Sequence, residues 1–340
     1  MADEPPATVR IKRELSRMAK GGDPIVAGPF LSEVGFEVLY WIPMLAWVLE
    51  RFGIDPERLT VVSRGGAEPW YTHLAGSYVD ALDHMGEQEL KAANDERVRR
   101  FRTQKQLEPL PAEVELAGGA SRAAGVPDAT LMHPSLMYEL FMPFWRGRDG
   151  ISLVEKRTRF RPLPDVTAPA VEAMLGDLPE RFVAVKFYST PLFPFDEERR
   201  AFVRTVMARL TAQTDVVVLA APVDLDDHED FSAEGAAGRV HHLPAAMTAR
   251  DNLAVQTAVL RRASALVATF GGFTHLAPFL GTRTLAFTAA PRCLPHVDVM
   301  SRAVRELRRQ GLDTGFSLLS TDDLGLLDLI GDRAADTAPF

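Results

Sequence analysis

The sequence predicts an α/β fold with parallel sheets, because short apolar strands alternate with helical segments along the chain. The second half shows this most clearly, in β-branched runs such as DVVVLA (215–220) and ALVATF (265–270). The chain has 340 residues, of which 46% are hydrophobic, enough for two cores. We therefore expect two Rossmann-like domains that face each other across a cleft.

The first half predicts three strands and two helices. The strands are PIVAG (24–28), LTVVS (59–63) and ATLMH (129–133), and the helices are FEVLYWIPMLAWVLERFG (36–53) and the charged segment 86–106. Pro43 should kink or break the first helix, because proline lacks a backbone donor. The segment PLPAEVELAGGASRAAGVPD (109–128) is expected to be a loop. The basic segment EKRTRFRPLP (155–164) marks the domain boundary, which we place between residues 165 and 166.

The second half predicts five strands joined by helices. The strands are RFVAVKF (181–187), DVVVLA, RVHHL (239–243), ALVATF and RTLAF (283–287). The helices are DEERRAFVRTVMARLTAQT (196–214), DNLAVQTAVLRRA (251–263), FTHLAPFLG (273–281) and HVDVMSRAVRELRRQG (296–311). This alternation indicates βαβ units and a parallel sheet. Ligands of such sheets bind at the carboxyl ends of the strands, so candidate site residues are those that follow each strand.

Composition excludes several classes of function. The net charge of −8 gives no support to a nucleic-acid or anionic-membrane surface, which needs clustered positive charge. The single cysteine, Cys293, excludes an internal disulfide and fits a reducing compartment. No apolar run precedes Pro24, and nowhere do 18 apolar residues follow one another. We therefore expect no signal peptide and no transmembrane segment, and a cytoplasmic protein.

Several catalytic motifs are absent from the sequence. It contains no G-x-G-x-x-G after a strand, no P-loop, no H-E-x-x-H, no paired C-x-x-C and no G-x-S-x-G. Dinucleotide binding, P-loop, zinc and serine-hydrolase chemistry are therefore unsupported. An acidic segment, APVDLDDHED (221–230), supplies oxygen ligands of the kind that Mg²⁺ prefers. A solvated acidic loop is the alternative, and the sequence leaves open whether residues 224–230 bind a metal.

The most informative strand exit is ATFGGFTHLAPFLGTRTLAF (268–287). Gly271 and Gly272 turn sharply, and a helix is expected to begin near Phe273 and Thr274. Glycines allow close approach of the backbone, and a helix N-terminus offers free N–H groups, a combination that suits a diphosphate. A tight turn without a ligand is the alternative. His275 in the first turn either points into the cleft or packs inside the domain.

The segment SALVATFGGFTHLAPFLGTRTLAF resembles the donor-binding segment of glycosyltransferases with the GT-B fold, in which a strand, a small-residue turn and a helix hold the diphosphate of a nucleotide sugar. The return strand here is LGTRTLAF, with Arg283 where such enzymes often have proline. The resemblance covers 250–287 and extends loosely to the two-domain plan. It implies a nucleotide-sugar donor held by domain 166–340, an acceptor at domain 1–165, no metal, no cofactor, and final helices that cross back to the first domain.

Other strand exits in the second half supply further candidates for donor binding. Lys186 ends one strand, and Tyr188 and Ser189 follow it; an ammonium and hydroxyls at this place suit phosphate oxygens. A capped loop with a surface lysine is the alternative. Asp227 and His228 are the residues of the acidic segment that we expect to meet a sugar hydroxyl.

Two carboxylates, Glu33 and Glu37, lie four residues apart in the apolar segment 28–45. With Ser32 as the N-cap, both lie on one face of the helix. An acceptor hydroxyl needs a base within hydrogen-bond reach, and these two acids are our candidates. A helix-dipole contact is the alternative for Glu33. The apolar neighbours of Glu37 predict that it borders a cleft or meets a cation, and a salt bridge to Arg64 is the alternative for it.

Four residues are assigned to the acceptor side or the cleft. Arg64 and Trp70 follow the second strand, and the indole either stacks on a sugar or packs in the core. His296 and Asp298 open the last predicted helix, which the resemblance places near the first domain.

The sequence thus predicts a metal-independent glycosyltransferase that moves a sugar from a nucleotide-sugar donor to a hydroxyl of a glycan or small-molecule acceptor. A sugar-nucleotide epimerase or hydrolase on the same fold, and a non-catalytic nucleotide-sugar-binding protein, are the alternatives.

Overall fold

A computed structural model describes residues 6–190, 192–194, 196–220, 230–231, 239–289 and 295–322. The predicted α/β class with two parallel sheets is confirmed: a four-stranded and a six-stranded sheet are both parallel throughout. Within these residues, no helix is both long enough and apolar enough to span a membrane.

The first sheet has the strand order β3-β2-β1-β4. Its strands are β1 (Ile25–Ala27), β2 (Leu59–Ser63), β3 (Ser77–Asp80) and β4 (Thr130–Met132). The central strand β1 is fully buried and aligns Ile25 with Leu59 on one side and with Thr130 on the other. The edge strand β3 was not predicted, because SYVD is only partly buried and carries no apolar alternation.

The second sheet has the order β10-β9-β8-β5-β6-β7. Its strands are β5 (Phe182–Lys186), β6 (Asp215–Val218), β7 (Val240–His242), β8 (Ala265–Thr269), β9 (Arg283–Thr288) and β10 (Phe316–Ser320). All five strands predicted for this half exist. The sequence analysis missed β10, whose side chains are mostly half-buried at the sheet edge. The strand order reverses beside β5 and β8, which is where parallel sheets open a crevice for ligands.

Twelve α-helices of the described residues cover and join the sheets. They are α1 (Pro6–Gly21), α2 (Val34–Phe36), α3 (Ile42–Phe52), α4 (Glu87–Phe101), α5 (Pro111–Ala123), α6 (Ser135–Trp145), α7 (Ser152–Glu155), α8 (Pro169–Met174), α9 (Glu197–Thr211), α10 (Asn252–Arg262), α11 (Gly272–Leu276) and α12 (Pro295–Arg309).

One local prediction in the first half was wrong and another was met in part. The helix does not break at Pro43, but it is irregular there: a π-helical turn, Glu37–Trp41, directly precedes α3, whose second residue is Pro43, and prolines and π turns both distort helices. The segment 109–128 contains α5 rather than a loop only. Glu113 at the start of α5 accepts a hydrogen bond from the Leu110 amide and pairs with Arg97, and this tertiary contact outweighs the low helix propensity of two glycines.

The two halves of the chain interlock around the exit of β2. The Gly65 carbonyl accepts hydrogen bonds from the amides of Leu253 (2.8 Å) and Ala254 (3.1 Å) at the start of α10. Trp70 Nε1 donates to Thr257 Oγ1 on the same helix at 3.0 Å. A single buried cluster runs through both halves. The division between residues 165 and 166 stays our proposal.

Replacement of Gly28 is predicted to destabilise the fold, because its φ of +129° is rare for other residues and a Cβ there would overlap the Val62 carbonyl oxygen. Gly28→Ala should lower the free energy of unfolding by about 3 kcal/mol, combining backbone strain with a clash against backbone. Gly53→Ala is the matched control: its φ is +64° but nothing lies near its Cβ position, so about 1 kcal/mol is expected. Equal losses in urea titrations of the two variants would contradict the prediction.

Candidate active site

A cavity of about 530 Å³ lies between the two halves, where the loops after β1, β2, β5 and β8 meet. Most of the sequence-predicted site residues line it. They are Glu33, Arg64, Lys186, Tyr188, Gly271, Gly272, Phe273, His275 and His296. Its size is within the range of small-molecule sites.

The turn at Gly271 and Gly272 forms the wall on the side of the second sheet. A side chain at Gly271 would overlap the Tyr188 hydroxyl, which accepts a hydrogen bond from the Gly272 amide at 3.2 Å. Thr274 Oγ1 accepts from the Gly271 amide (3.0 Å) and donates to the Gly271 carbonyl (2.8 Å). Thr274 is fully buried and outside the cavity lining, so it shapes the turn and does not face a ligand.

Lys186 places an ammonium group beside this turn. Its Nζ donates to the Leu219 carbonyl at 2.8 Å, pairs with Asp230 at 3.1 Å and lies 5.0 Å from the centre of the Phe273 ring. The side chain is 11% exposed. A partly desolvated, oriented cation next to a glycine turn suits a phosphate group.

His275 is a buried imidazole without hydrogen bonds to the described residues. Its side chain is 6% exposed, and neither Nδ1 nor Nε2 has a partner among them. A buried polar group without a partner costs about 1–3 kcal/mol; both nitrogens are shielded from solvent, and Nδ1 lies 2.6 Å from the Cβ position of Gly35. Burial, and secondly the nearby His296, lower the pKa of His275 to about 3, which keeps the imidazole neutral at neutral pH.

His296, at the start of α12, bridges the two walls. Its Nδ1 lies 2.7 Å from the Tyr40 hydroxyl of the first half. Burial, and secondly the charge of Lys105, lower the pKa of His296 to about 4, while burial raises the pKa of Tyr40. Both groups are therefore uncharged at neutral pH and form a neutral hydrogen bond across the domain junction.

Glu33 presents a carboxylate on the wall of the first domain. The structure makes Glu33, not Ser32, the N-cap residue of α2. Its half-buried side chain lines the cavity, and no hydrogen bond or ion pair joins its carboxylate to another described residue. Val34, which follows it, would lie 3.2 Å from a Cβ on Gly272. Glu33 is thus close to the glycine turn of the opposite wall.

Glu37 lies behind that wall. It is 0% exposed and accepts hydrogen bonds from Ser63 Oγ (2.5 Å), Tyr71 Oη (2.5 Å) and Arg64 Nη1 (2.7 Å). Glu37 was expected either to border a cleft or to meet a cation, and in the structure it meets the Arg64 guanidinium. The alternative of a salt bridge to Arg64 is confirmed.

Other predicted site residues do not reach the cavity. Trp70 is 1% exposed and packs in the core, so its expected place on the cleft is wrong. Asp298 was also expected near the cleft, but its side chain is exposed and lies outside the lining, because the first turn of α12 points only His296 inward. Ser189 is half-buried and also outside the lining. Asp227 and His228 lie outside the described residues.

The sequence analysis missed several polar residues that line the cavity. They are Tyr40, Asn94, Gln104, Lys105, Asp230, Asn252 and Gln256. Gln256 Nε2 donates to Asn252 Oδ1 at 2.6 Å, and Gln256 Oε1 has no partner among the described residues. The two residues lie four positions apart on α10, and the contact of α10 with the Gly65 carbonyl places them on the cavity wall, which no local pattern indicates. Within the described ranges, no group of three His, Cys, Asp or Glu side chains could hold a metal ion.

No protein-family model matches the sequence, and no curated protein matches it. Solved structures with a similar fold include a glycosyl transferase family 9 protein from Veillonella parvula (TM-score 0.45, 14% identity, covering 93% of this chain and 90% of that one) and the ADP-heptose LPS heptosyltransferase II of E. coli (0.46, 13%, 92% and 99%). A putative UDP-N-acetylglucosamine 2-epimerase from Listeria monocytogenes is also similar (0.34, 14%, 92% and 89%). Similarity at this level carries neither substrate nor mechanism over to the chain.

Glu37→Gln is predicted to destabilise the protein, because it leaves the Arg64 guanidinium without its counter-charge. Arg64 is only 11% exposed, so the loss should be about 3 kcal/mol in urea unfolding. Glu33→Gln is the matched control and should change stability by less than about 0.5 kcal/mol, since its carboxylate has no partner to lose. A Glu37→Gln protein as stable as Glu33→Gln would show that the buried ion pair does not stabilise the fold.

The two cavity histidines predict a loss of stability in mild acid. Their folded-state pKa values of about 3 and about 4 lie below the ordinary 6.5, so only the unfolded chain takes up their protons as pH falls below 6.5. Each histidine should lower the free energy of unfolding by up to about 1.4 kcal/mol per pH unit between pH 6.5 and 5. Urea titrations should show a smaller slope for His275→Gln than for the unaltered protein. An unchanged slope would mean that His275 titrates normally in the folded state.

Proposed function

We propose that the protein is a glycosyltransferase that moves a sugar from a nucleotide-sugar donor to an acceptor hydroxyl without a metal ion. The observation that carries this proposal is that complementary functional groups line the two walls of one cavity. One wall has a glycine turn, an oriented lysine and a neutral buried histidine, and the other has an unpaired carboxylate.

The second-domain wall suits the diphosphate of the donor. Lys186 lies beside the Gly271–Gly272 turn and is the group of this wall that suits phosphate oxygens, because the Cβ positions of the two glycines are already filled by the Tyr188 hydroxyl and by Val34. A cation that is oriented beforehand stabilises a transition state in which charge develops on the leaving group, and neutral His275 lies in the same wall. Gln256 and Asn252 on α10 add amide groups to the same space.

The first-domain wall suits deprotonation of the acceptor. In a direct displacement, the acceptor oxygen attacks the anomeric carbon of the donor, its proton passes to a base, and the bond from that carbon to the diphosphate breaks. We assign the base to Glu33, because its carboxylate faces the cavity and has no partner among the described residues. Glu37 becomes a positioning residue, because its oxygens are occupied by Ser63, Arg64 and Tyr71.

The proposal predicts that nucleoside diphosphates and their sugars bind, and that Glu33→Gln separates binding from transfer. A calorimetric or thermal-shift screen identifies the donor, and transfer to candidate acceptors is then followed in the presence of EDTA. Glu33→Gln should keep the donor affinity and lower kcat by about 10²- to 10⁴-fold, the usual contribution of a general base.

Asp298→Asn provides the matched control, since it changes an exposed carboxylate outside the cavity, and it should leave kcat unchanged. Failure of every nucleotide sugar to bind would overturn the proposal and favour a non-catalytic protein. Turnover of the donor without any acceptor would favour an epimerase or hydrolase. Full activity of Glu33→Gln would refute the base assignment alone.

A further inference from the structure

Helix α1 concentrates positive charge in a chain that is acidic overall. Its 16 residues, PATVRIKRELSRMAKG, contain five Lys or Arg and one Glu, whereas the whole chain has a net charge of −8. At 1.5 Å per residue the helix is about 24 Å long. The net charge conceals this cluster, so the overall composition does not decide whether α1 faces an anion.

The cationic residues of α1 form one stripe on its outer face. Ile11 and Leu15 are 0% exposed and belong to the core, where α1 packs against α3 and α6. Arg13, Arg17 and Lys20 are exposed and follow one another at spacings of four and three residues, so they lie along one side of the helix. The three side chains therefore present a straight row of charge to solvent.

This row is not explained by contacts within the described residues. Arg10 pairs with Glu14 and Glu139, but no ion pair or hydrogen bond joins Arg13, Arg17 or Lys20 to another described side chain. Like charges at i,i+4, as in Arg13 and Arg17, destabilise a helix by about 0.2–0.5 kcal/mol. Repulsion within the row thus lowers the stability of the helix, and an external anion bound to the row would reduce this repulsion.

We propose that the outer face of α1 binds an anionic lipid surface through the phosphate groups of its lipids. The row is straight and lies on the outside of a packed helix, which fits a flat array of phosphates. A nucleic-acid groove fits less well, because the major groove admits a whole helix and α1 is half-buried along its length against α3 and α6. Ile11, Leu15, Met18 and Ala19 of α1 pack in the core, and Val9 is a small, half-buried residue beside the cationic row, so the attachment is mainly electrostatic.

Sedimentation with vesicles tests the proposal on the full-length protein. The protein should bind vesicles that contain phosphatidylglycerol, should not bind pure phosphatidylcholine vesicles, and should be released by salt. The triple variant Arg13→Glu, Arg17→Glu, Lys20→Glu should lower the partition onto anionic vesicles by about a hundredfold or more, since each basic residue contributes about one factor of five. Its thermal unfolding and its affinity for the nucleotide-sugar donor should be unchanged, which separates this result from the proposed function.

The control reverses three arginines of α12, Arg302, Arg305 and Arg309, in a groove where Arg302 pairs with Glu155 and Arg309 with Glu306, so that its positive charge is partly balanced. This variant should bind anionic vesicles as well as the unaltered protein. Equal loss of binding in both triple variants would overturn the assignment to α1. Absence of vesicle binding, equal binding to neutral vesicles, or salt-sensitive binding of an RNA or DNA duplex in place of vesicles would overturn the lipid proposal.

Discussion

The site depends on two buried arginines that hold the backbone between β1 and α2. Arg97 donates to the Leu31 carbonyl (3.2 Å), and Arg64 donates to the carbonyls of Phe30 (3.2 Å) and Ser32. These carbonyls belong to a loop that crosses the interior, where unpaired polar groups are costly. Two guanidinium groups satisfy three successive residues of it. These contacts fix the conformation of the loop, and they therefore fix the position of Glu33, the residue that follows it.

Each arginine requires a buried carboxylate of its own. Glu113 pairs with Arg97 at 2.6 Å, and Glu37 pairs with Arg64 at 2.7 Å. Burial by itself would raise the pKa of Glu113, but hydrogen bonds from His133 and the Leu110 amide, together with the charges of His133 and Arg97, lower it. Glu113 is thus an anion that balances Arg97. Glu37, the acid that looks most anomalous in the sequence, balances Arg64 in the same way, whereas Glu33, one turn earlier, lines the cavity and has no partner among the described residues.

The sequence predicted what repeats along the chain and missed what depends on distant contacts. All five strands of the second half and the β1, β2 and β4 strands of the first were identified, because buried parallel strands are short continuous apolar runs. The edge strands β3 and β10 lack that signal, whereas α5 has local start signals that the sequence analysis did not use, Pro111 in its first turn and Glu113 capping the Leu110 amide. The same limit applies to the site. The glycine turn at Gly271 could be predicted from the local sequence, whereas the exposure of Glu33 and the burial of Glu37 depend on the position of Arg64.

The exit of β2 ties the two walls of the cavity together. Arg64 fixes the loop that carries Glu33, and the next residue, Gly65, caps the start of α10, the helix that supplies Asn252 and Gln256 to the opposite wall. A Cβ at Gly66 would lie 2.8 Å from the Ala254 side chain, so the backbone approach itself needs glycine. Two adjacent residues therefore tie together the two walls of the cavity. Because these contacts are made by the Arg64 guanidinium and the Gly65 backbone, side-chain changes elsewhere in the cavity should alter its chemistry without altering its width.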